Sequence, residues 1–194
     1  MTGSSILPVS INKGKIFFLF GKENEFEQSA KGFSDFGGGN ESGETIYDTA
    51  MREGAEELTG FLGDSTEIRQ YIDKKGGVYP INYQNQYHTH IFVMDYDPNL
   101  PKYYNQNHRF LWEKMDKNEL KKTKLFEKIE IKWFSIQEMK TEIKSFRPFY
   151  QDIVKQIIKE LPKIKKFVYK KHNIIKTTKN FKSNHSKNNK TKKQ

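Results

Sequence analysis

The chain has 194 residues, which is enough for one domain of about 150 residues and an extension. It contains no cysteine, and this excludes disulfides, thiolate metal sites and a cysteine nucleophile. The N-terminus lacks the pattern of a secretory signal, and no apolar run approaches the roughly 20 residues that span a bilayer. We therefore expect a soluble protein that acts in the cytoplasm and has no membrane partner.

The net charge of +10 is distributed unevenly along the chain. Residues 163–194 hold twelve lysines and no acidic residue, which leaves 22 basic and 24 acidic residues in 1–162, a net charge of −2. The basic segment is also rich in Asn, Thr and Ser, and such a composition buries too little apolar surface to offset the cost of ordering. The sequence therefore predicts one domain over 1–162 and a basic tail over 163–194 that is disordered from about Asn173 onward.

Hydrophobic periodicity predicts strands that alternate with helices. In chain order, the predicted elements are a strand–turn–strand unit in SINKGKIFFLFG, a helix over 45–58, a strand over 86–95, a helix around 105–115, a strand over 126–136 and a helix over 148–161. Because strands and helices are interleaved, the expected fold class is α/β.

The first predicted helix has recognisable ends. Thr45 and Asp48 have the spacing of a capping box, in which each side chain satisfies a backbone amide at the helix start. Gly60 is suited to end the helix, because glycine adopts the left-handed conformation of a helix exit. The sequence therefore places this helix between about Ile46 and Leu58.

Three glutamates of this helix face one another. Glu53, Glu56 and Glu57 are related by i,i+3 and i,i+4 spacings and fall within about 100° of arc. Their mutual repulsion requires a positive charge, of which Arg52 supplies only part. Oxygen ligands of this kind favour hard divalent ions such as Mg²⁺ or Mn²⁺. The alternative is an ordinary solvent-facing acidic helix, but residues 44–64 contain no lysine to balance the glutamates.

The stretch DFGGGNESGETIYDTAMREGAEELTGFLG resembles the signature of the Nudix hydrolases. The positions that match in identity and spacing are Gly38, Glu44, Arg52, Glu53, Glu56 and Glu57. Two positions depart from the signature. Gly54 stands where an aliphatic residue is usual, and the last glycine, Gly60, comes one residue late. These departures concern the helix and its exit rather than the carboxylates.

The resemblance implies a Nudix-type α/β/α sandwich with a mixed β-sheet, and hydrolysis of a pyrophosphate bond that depends on Mg²⁺ or Mn²⁺. The implied metal ligands are the carboxylates of Glu53, Glu56 and Glu57 and the backbone carbonyl of Gly37. By the same resemblance, Arg52 orients the glutamates through ion pairs and Glu44 lies in an outer layer around them.

Family members also place a further catalytic glutamate shortly before a tryptophan. The segment FEKIEIKW offers Glu127 and Glu130, which lie six and three residues before Trp133. We favour Glu127 as the general base, which must reach the attacking water. An exposed strand carboxylate is the alternative for either residue.

Other residues allow weaker interpretations. His88 and His90 share a strand face and have a spacing that zinc sites use, but ordinary strand side chains explain them better without a third ligand. Aromatic residues offer surfaces for stacking on a base, although most such residues serve packing. The candidates are Tyr79, Tyr83, Tyr87, Tyr103, Tyr104 and Trp112.

The segments FGGGNESGE and EELTGFLG are similar to Nudix proteins of large DNA viruses. With the basic tail, which we expect to bind RNA, this favours the 5′ cap of mRNA as substrate, m⁷GDP as product and the host cytoplasm as location. Two alternatives remain: a hydrolase of free nucleotides such as ADP-ribose, dinucleoside polyphosphates or damaged nucleoside triphosphates, and a non-catalytic RNA-binding Nudix scaffold. The tail has its own alternative, a solvated extension without a ligand.

Overall fold

The computed structural model describes residues 2–24, 31–122 and 127–188, without the side chains of Lys121 and of residues 172–188. The strands are β1 (Gly3–Asn12), β2 (Lys15–Glu23), β3 (Phe33–Ser34), β4 (Phe36–Gly39), β5 (Val78–Tyr83), β6 (Tyr87–Val93) and β7 (Lys128–Ser135). The helices are α1 (Ile46–Glu57), α2 (Ser65–Lys74), α3 (Asn99–Lys114), α4 (Lys117–Lys122), α5 (Ile136–Thr141) and α6 (Tyr150–Asn188), with a short 3₁₀ helix at Ile143–Ser145.

The seven strands form one mixed sheet around β1. This strand pairs in antiparallel fashion with β2 and β4 and in parallel fashion with β6. On one side β6 pairs with β5, and on the other β2 pairs with β3 and β7, all antiparallel. Residues 4–10 of β1 are buried without interruption, as expected for a strand that is covered on both faces.

Helices cover both faces of the sheet. On one face α6 packs its apolar stripe against phenylalanines of β2 and β7, including Phe18, Phe20 and Phe134. On the other face α1, α2 and α3 cover Leu19 and Ile131. This arrangement is the predicted α/β/α sandwich. Within the described residues, no helix combines the length and apolar character of a membrane span.

Several predicted elements are confirmed within a few residues. The strand–turn–strand unit is β1 and β2, joined by a two-residue turn in which Lys13 and Gly14 both have positive φ, as in a type I′ hairpin. Helix α1, strand β6 and strand β7 lie where the pattern predicts them, although the beginning of the last prediction, at residue 126, falls outside the described residues.

Two elements between α1 and β6 were not predicted. Helix α2 buries only Ile68 and Ile72, so its apolar stripe is narrow, although Asp64 and Glu67 form a capping box at its start. Strand β5 contains Pro80 and lies at the edge of the sheet, where proline is tolerated. In addition, α3 begins at Asn99, earlier than the expected residue 105.

The prediction that the last helix ends at Leu161 is wrong. Helix α6 passes through Pro162 and continues to Asn188, and Ile164 and Val168 extend the buried stripe against the sheet. This packing outweighs the cost of proline inside a helix, about 3 kcal/mol. The predicted boundary between residues 162 and 163 therefore falls within a helix. The predicted disorder from Asn173 onward concerns residues whose side chains lie outside the described part of the chain.

Candidate active site

Helix α1 positions the glutamates and begins at the predicted capping box. The Thr45 side chain accepts a hydrogen bond from the backbone amide of Asp48 at 3.1 Å, and the Asp48 carboxylate accepts one from the amide of Thr45 at 3.2 Å. The helix therefore starts one residue after Thr45, which fixes the rotation of every glutamate that follows.

The exit of α1 accommodates the late glycine. Thr59, at the position where the signature has glycine, takes a φ of 49°, and Gly60 follows with a φ of 73°. The amide of Gly60 donates to the carbonyl of Ala55 at 3.2 Å, which closes the last turn. A β-branched residue at positive φ is strained, so the departure costs stability and leaves Glu57 within the helix.

Gly54, the second departure, brings α1 close to the sheet. A Cβ atom at this position would collide with the Ile6 side chain of β1. The glycine therefore costs about 1 kcal/mol of helix propensity relative to alanine and permits a closer approach to the central strand.

The glycines before α1 form the opposite wall of the site. Gly37 lies against Ser5 of β1, where a side chain would not fit, and its amide donates to Glu57 Oε2 at 2.7 Å. A Cβ atom at Gly38 would lie 2.5 Å from the carboxylate carbon of Glu53. Gly37 therefore permits the close approach of β4 to β1, and Gly38 leaves room for the Glu53 carboxylate beside the backbone of β4.

Asp35 anchors this glycine segment to the neighbouring strands β1 and β6. Its carboxylate is buried and accepts hydrogen bonds from Ser5, from Thr89 at 2.8 Å and from the Tyr87 hydroxyl at 2.8 Å. Burial raises the pKa of Asp35, while these donors act in the opposite direction. Asp35 therefore ties the start of β4 to β1 and β6, two residues before Gly37.

Arg52 lies at the centre of the outer carboxylates. Its Nε and Nη2 atoms donate to the two oxygens of Glu44 at 2.6 and 3.0 Å, and its Nη1 donates to Glu53 Oε1 at 2.8 Å. The same guanidinium contacts the carbonyl of Gly39 at 3.2 Å and lies 3.8 Å from Glu56. The bidentate contact with Glu44 fixes the plane of the guanidinium, and this in turn orients Glu53.

Glu44 is held in its charged form. The hydrogen bond from Arg52, followed by that from Thr49, lowers the pKa of Glu44 to about 2. The carboxylates likewise raise the pKa of Arg52 above its ordinary value, mainly through the hydrogen bond with Glu44.

Glu57 belongs to a separate, buried ionic group. Its Oε1 lies 3.0 Å from Nζ of Lys128, and the same ammonium contacts the carboxylate of Glu23 and, at 3.1 Å, the hydroxyl of Ser34. Arg147 donates to Glu23 at 2.7 Å. Glu23, Glu57 and Lys128 are all buried. The group therefore links α1, β2 and β7 with the segment before α6.

The protonation of this group depends on opposing effects. Burial alone would lower the pKa of Lys128, but the charges of Glu57 and Glu23 outweigh it, and the pKa is raised. Burial raises the pKa of Glu57 well above its ordinary value, while Lys128 acts in the opposite direction. The shared ammonium therefore accounts for the raised pKa of Lys128, whereas burial and the charge of Glu23 account for that of Glu57.

An irregularity in the sheet directs Lys128 to this position. Lys22 pairs with Glu130, whereas the next residue, Glu23, pairs with Lys128, so β7 contains one extra residue at this point. Gly21 lies beside the Lys128 side chain, and a Cβ there would be 2.8 Å from its Cγ. The bulge and the glycine together make room for a buried lysine.

The candidate bases Glu127 and Glu130 lie in different surroundings. Glu127 immediately precedes β7, and its charge contributes to the raised pKa of Glu57, which indicates that the two carboxylates are near one another. Glu130 forms an exposed ion pair with Lys22 at 3.7 Å. The charge of Glu127 therefore acts on Glu57, whereas Glu130 is paired with Lys22 at the surface.

A cleft of about 380 Å³ lies between helix α3 and strand β7. This α3/β7 cleft is lined by Asn105, His108, Arg109, Trp112, Ile129 and Glu130. His108 and Trp112 stack at 5.3 Å, and the Asn105 amide makes two hydrogen bonds with the backbone of Ile131. The cleft thus combines aromatic, cationic and acidic side chains on a fixed frame.

Tyr103 is exposed, whereas several other sequence candidates serve packing or hydrogen bonding. Tyr104 is buried, and its hydroxyl contacts the carbonyls of Glu57 and Lys128, so it is not available for stacking on a base. Tyr79 donates to Glu160 at 2.6 Å. His90 is buried with Nδ1 3.1 Å from the carbonyl of Ser5, and burial lowers its pKa.

Within the described residues, no three acidic or histidine side chains converge on one point as a ready ion site. The physical reason is that Arg52 holds Glu53 while Lys128 holds Glu57. Sequence reasoning missed Lys128, Glu23 and Asp35. Nothing in the period-two pattern of β7 distinguishes Lys128 from an exposed lysine, because the bulge that redirects it depends on pairing with a distant strand.

Comparisons with known proteins agree with the fold. A family model described as the NUDIX domain matches residues 3–157. The chain is similar to the crystal structure of RenU, a Nudix hydrolase from M. smegmatis, with 11% identity, a TM-score of 0.49 and coverage of 84% of this chain and 88% of that one. No curated protein gives a match.

Two further solved structures are similar to a comparable extent. An Ap4A hydrolase from C. elegans, in a binary complex, has 12% identity, a TM-score of 0.47 and coverage of 83% of this chain and 98% of that one. A bifunctional NMN adenylyltransferase/ADP ribose pyrophosphatase from Francisella tularensis has 18% identity, a TM-score of 0.47 and coverage of 82% and 42%. These identities and TM-scores indicate a distant likeness, which carries no information about the substrate of this chain.

Proposed function

The chain belongs to the Nudix hydrolase family and is a pyrophosphohydrolase, and on this basis we propose that it cleaves the pyrophosphate bond in the 5′ cap of mRNA and releases m⁷GDP. The hydrolytic part of this proposal rests on the arrangement in which Glu44 fixes Arg52 and Arg52 orients Glu53 beside the glycine segment. The choice of the cap as substrate is supported by the α3/β7 cleft and by a basic surface of α6, formed by Lys163, Lys165, Lys166 and Lys170.

The oxygen donors of the site suit a hard divalent ion. Nudix hydrolases generally use Mg²⁺ or Mn²⁺, and carboxylate and carbonyl oxygens are the ligands that such ions prefer. Gly38 leaves space for the Glu53 carboxylate directly beside the loop backbone. Glu53, Glu56 and the Gly37 carbonyl would hold the ion; the family pattern would add Glu57, whose carboxylate already lies 3.0 Å from Nζ of Lys128. When bound, the ion screens phosphate charge and acidifies water.

The chain's own residues have distinct roles in this proposal. Arg52 keeps Glu53 in a single orientation, and Glu44 keeps Arg52 in place. Glu127, which lies just before β7, accepts the proton of the attacking water as general base. Asp35 and the Gly37 amide keep the glycine segment at a fixed distance from α1.

The α3/β7 cleft is suited to hold the base of the substrate. Stacking on an aromatic side chain contributes about 1–3 kcal/mol per base, and Trp112, which is backed by the buried His108, supplies such a surface. Glu130, at the wall of the cleft, is an acceptor for the N–H groups on the edge of a guanine. The cleft shares α3 with Tyr104, whose hydroxyl contacts the carbonyl of Glu57, and in this proposal the phosphates of a bound base extend from the cleft toward the glutamates.

The basic part of α6 supports a polymeric substrate. Lys163, Lys165, Lys166 and Lys170 are exposed, while Ile164 and Val168 anchor the same turns to the sheet. Because α6 and α1 cover opposite faces of the sheet, RNA that contacts both must pass around the sheet edge. Phosphate contacts of this kind add affinity that a free nucleotide lacks.

The test compares substrates with the full-length protein and Mg²⁺ or Mn²⁺. We expect capped RNA of more than about 20 nucleotides to give m⁷GDP and 5′-monophosphate RNA, with a kcat/KM above that of a free cap dinucleotide. The preference should decrease as salt increases. If ADP-ribose or a dinucleoside polyphosphate gives the higher kcat/KM, or capped RNA is not cleaved, the cap is not the substrate and a free-nucleotide hydrolase takes its place.

Two variants test the proposed interactions separately. Trp112→Ala should raise KM about tenfold, because the base no longer stacks on the indole ring. Replacing Lys165, Lys166 and Lys170 by glutamine should reduce the slope of log affinity against log salt by about 0.7 for each phosphate that a lysine no longer neutralises, with activity on a free dinucleotide unchanged. An unchanged slope would make the basic surface a passive extension.

A further inference from the structure

Glu57 already has a cation within the protein. Nζ of Lys128 lies 3.0 Å from Glu57 Oε1, and the amide of Gly37 occupies Oε2 at 2.7 Å. Both oxygens of this carboxylate therefore accept hydrogen bonds from the chain itself. A divalent ion at Glu57 would share these oxygens with the two donors and would lie close to the positive charge of the Lys128 ammonium.

The position of Lys128 is built into the fold. The extra residue in β7 turns its side chain toward Glu23, and Gly21 leaves the space that its methylene groups fill. Its ammonium also contacts Ser34 at 3.1 Å, so each of its three protons has an acceptor among Glu23, Glu57 and Ser34. A lysine that is fully buried and fully hydrogen-bonded is fixed in place.

The charges of this buried group balance without a metal. Two carboxylates, Glu23 and Glu57, face two cations, Lys128 and Arg147. The three glutamates also differ in their exposure to solvent. Only 5% of the Glu57 side chain is exposed, against 13% for Glu53 and 32% for Glu56. An ion from solvent therefore meets Glu53 and Glu56 first, at the part of the cluster that is open.

We propose that Lys128 is a resident cation of the active site, which holds Glu57 in place of a divalent ion and leaves Glu53 and Glu56 as the carboxylates that bind the ion. The inference rests on the proposed function, because it concerns the metal of the same site. In this arrangement Glu57 is a positioning residue that holds the Gly37 amide. The site then binds one ion fewer than it would if all three glutamates were free to act as ligands.

The test measures Mn²⁺ binding to full-length protein by calorimetry and by the electron paramagnetic resonance signal of free Mn²⁺. Glu53→Gln should weaken binding by at least about tenfold, as expected for loss of a ligand, whereas Glu57→Gln should stay within about threefold of the wild type. In the double variant Lys128→Met with Glu23→Gln, Glu57 loses its ammonium, and the number of bound ions should increase by one.

Matched controls keep the outcomes distinct. Lys132→Met removes a partly exposed lysine from the same strand and should leave the number of ions unchanged. Thermal unfolding reports whether each variant folds; if the double variant does not fold, the comparison of Glu57→Gln with Glu53→Gln decides alone. Binding that is weakened equally by these two substitutions would overturn the inference, as would an unchanged ion count in a folded double variant. A wild type that binds no Mn²⁺ would instead contradict the proposed function.

Discussion

The outer and the buried parts of the active site use the same residue type in opposite surroundings. In the outer part, Arg52 bridges Glu44 and Glu53 at the surface of α1, where water and ions have access. In the buried part, Glu57 contacts Lys128, which solvent does not reach. The difference shows that adjacent glutamates on one helix need not share one function, because burial decides which cation neutralises each of them.

The largest expected effect concerns the buried part. Lys128→Met leaves Glu23 and Glu57 without their shared ammonium, and breaking a buried ion pair in this way destabilises a protein by about 3–5 kcal/mol. Urea denaturation should show this loss. The control, Lys132→Met, removes a partly exposed pair and should change the free energy of unfolding by less than about 1 kcal/mol. Equal losses in the two variants would mean that burial makes no difference here.

The contrast also explains what the sequence allowed us to predict. The spacing of Arg52, Glu53 and Glu56 lies within one helix, so a local pattern was sufficient to find the outer part. The environment of Lys128 depends on a bulge opposite Glu23 and on Gly21, both in a strand that is distant in sequence. Local periodicity carries no information about such pairing, so the buried part could only be seen in the folded chain.

The ends of the helices also show that local signals can be predicted from the sequence and distant contacts cannot. The capping box at Thr45 is a local signal, and the start of α1 was predicted to the residue. The continuation of α6 past Pro162 depends on contacts of Ile164 and Val168 with the sheet. Pro162 was therefore a misleading signal for the end of α6, because tertiary packing outweighed the low helix propensity of proline.

The second prediction concerns the outer part and affects activity rather than stability. Glu53→Gln removes the anionic oxygen that Arg52 orients, and kcat/KM should fall by more than about 100-fold, equivalent to about 2.7 kcal/mol. Steady-state hydrolysis of the best substrate measures this, and circular dichroism checks the fold. Glu41→Gln, on the exposed side of Arg52, is the matched control and should retain activity. Similar rates for the two variants would remove Glu53 from the mechanism.

The smallest expected effect is a pH dependence in the outer part. Hydrogen bonds from Arg52 and Thr49 lower the pKa of Glu44 from 4.5 to about 2. A carboxyl whose pKa is depressed in the folded state stabilises the protein above pH 4.5, and this contribution is lost as the pH falls toward 2. The difference in the free energy of unfolding between the wild type and Glu44→Gln should therefore be largest near pH 6 and should shrink steadily below pH 4.5. Urea denaturation at several pH values measures it, with Gln137→Ala, an exposed uncharged position, as a control whose difference does not vary with pH. A Glu44→Gln difference that is constant over this range would mean that Arg52 does not hold Glu44 in its charged form, and the outer part would then lack the fixed geometry that separates it from an ordinary acidic surface.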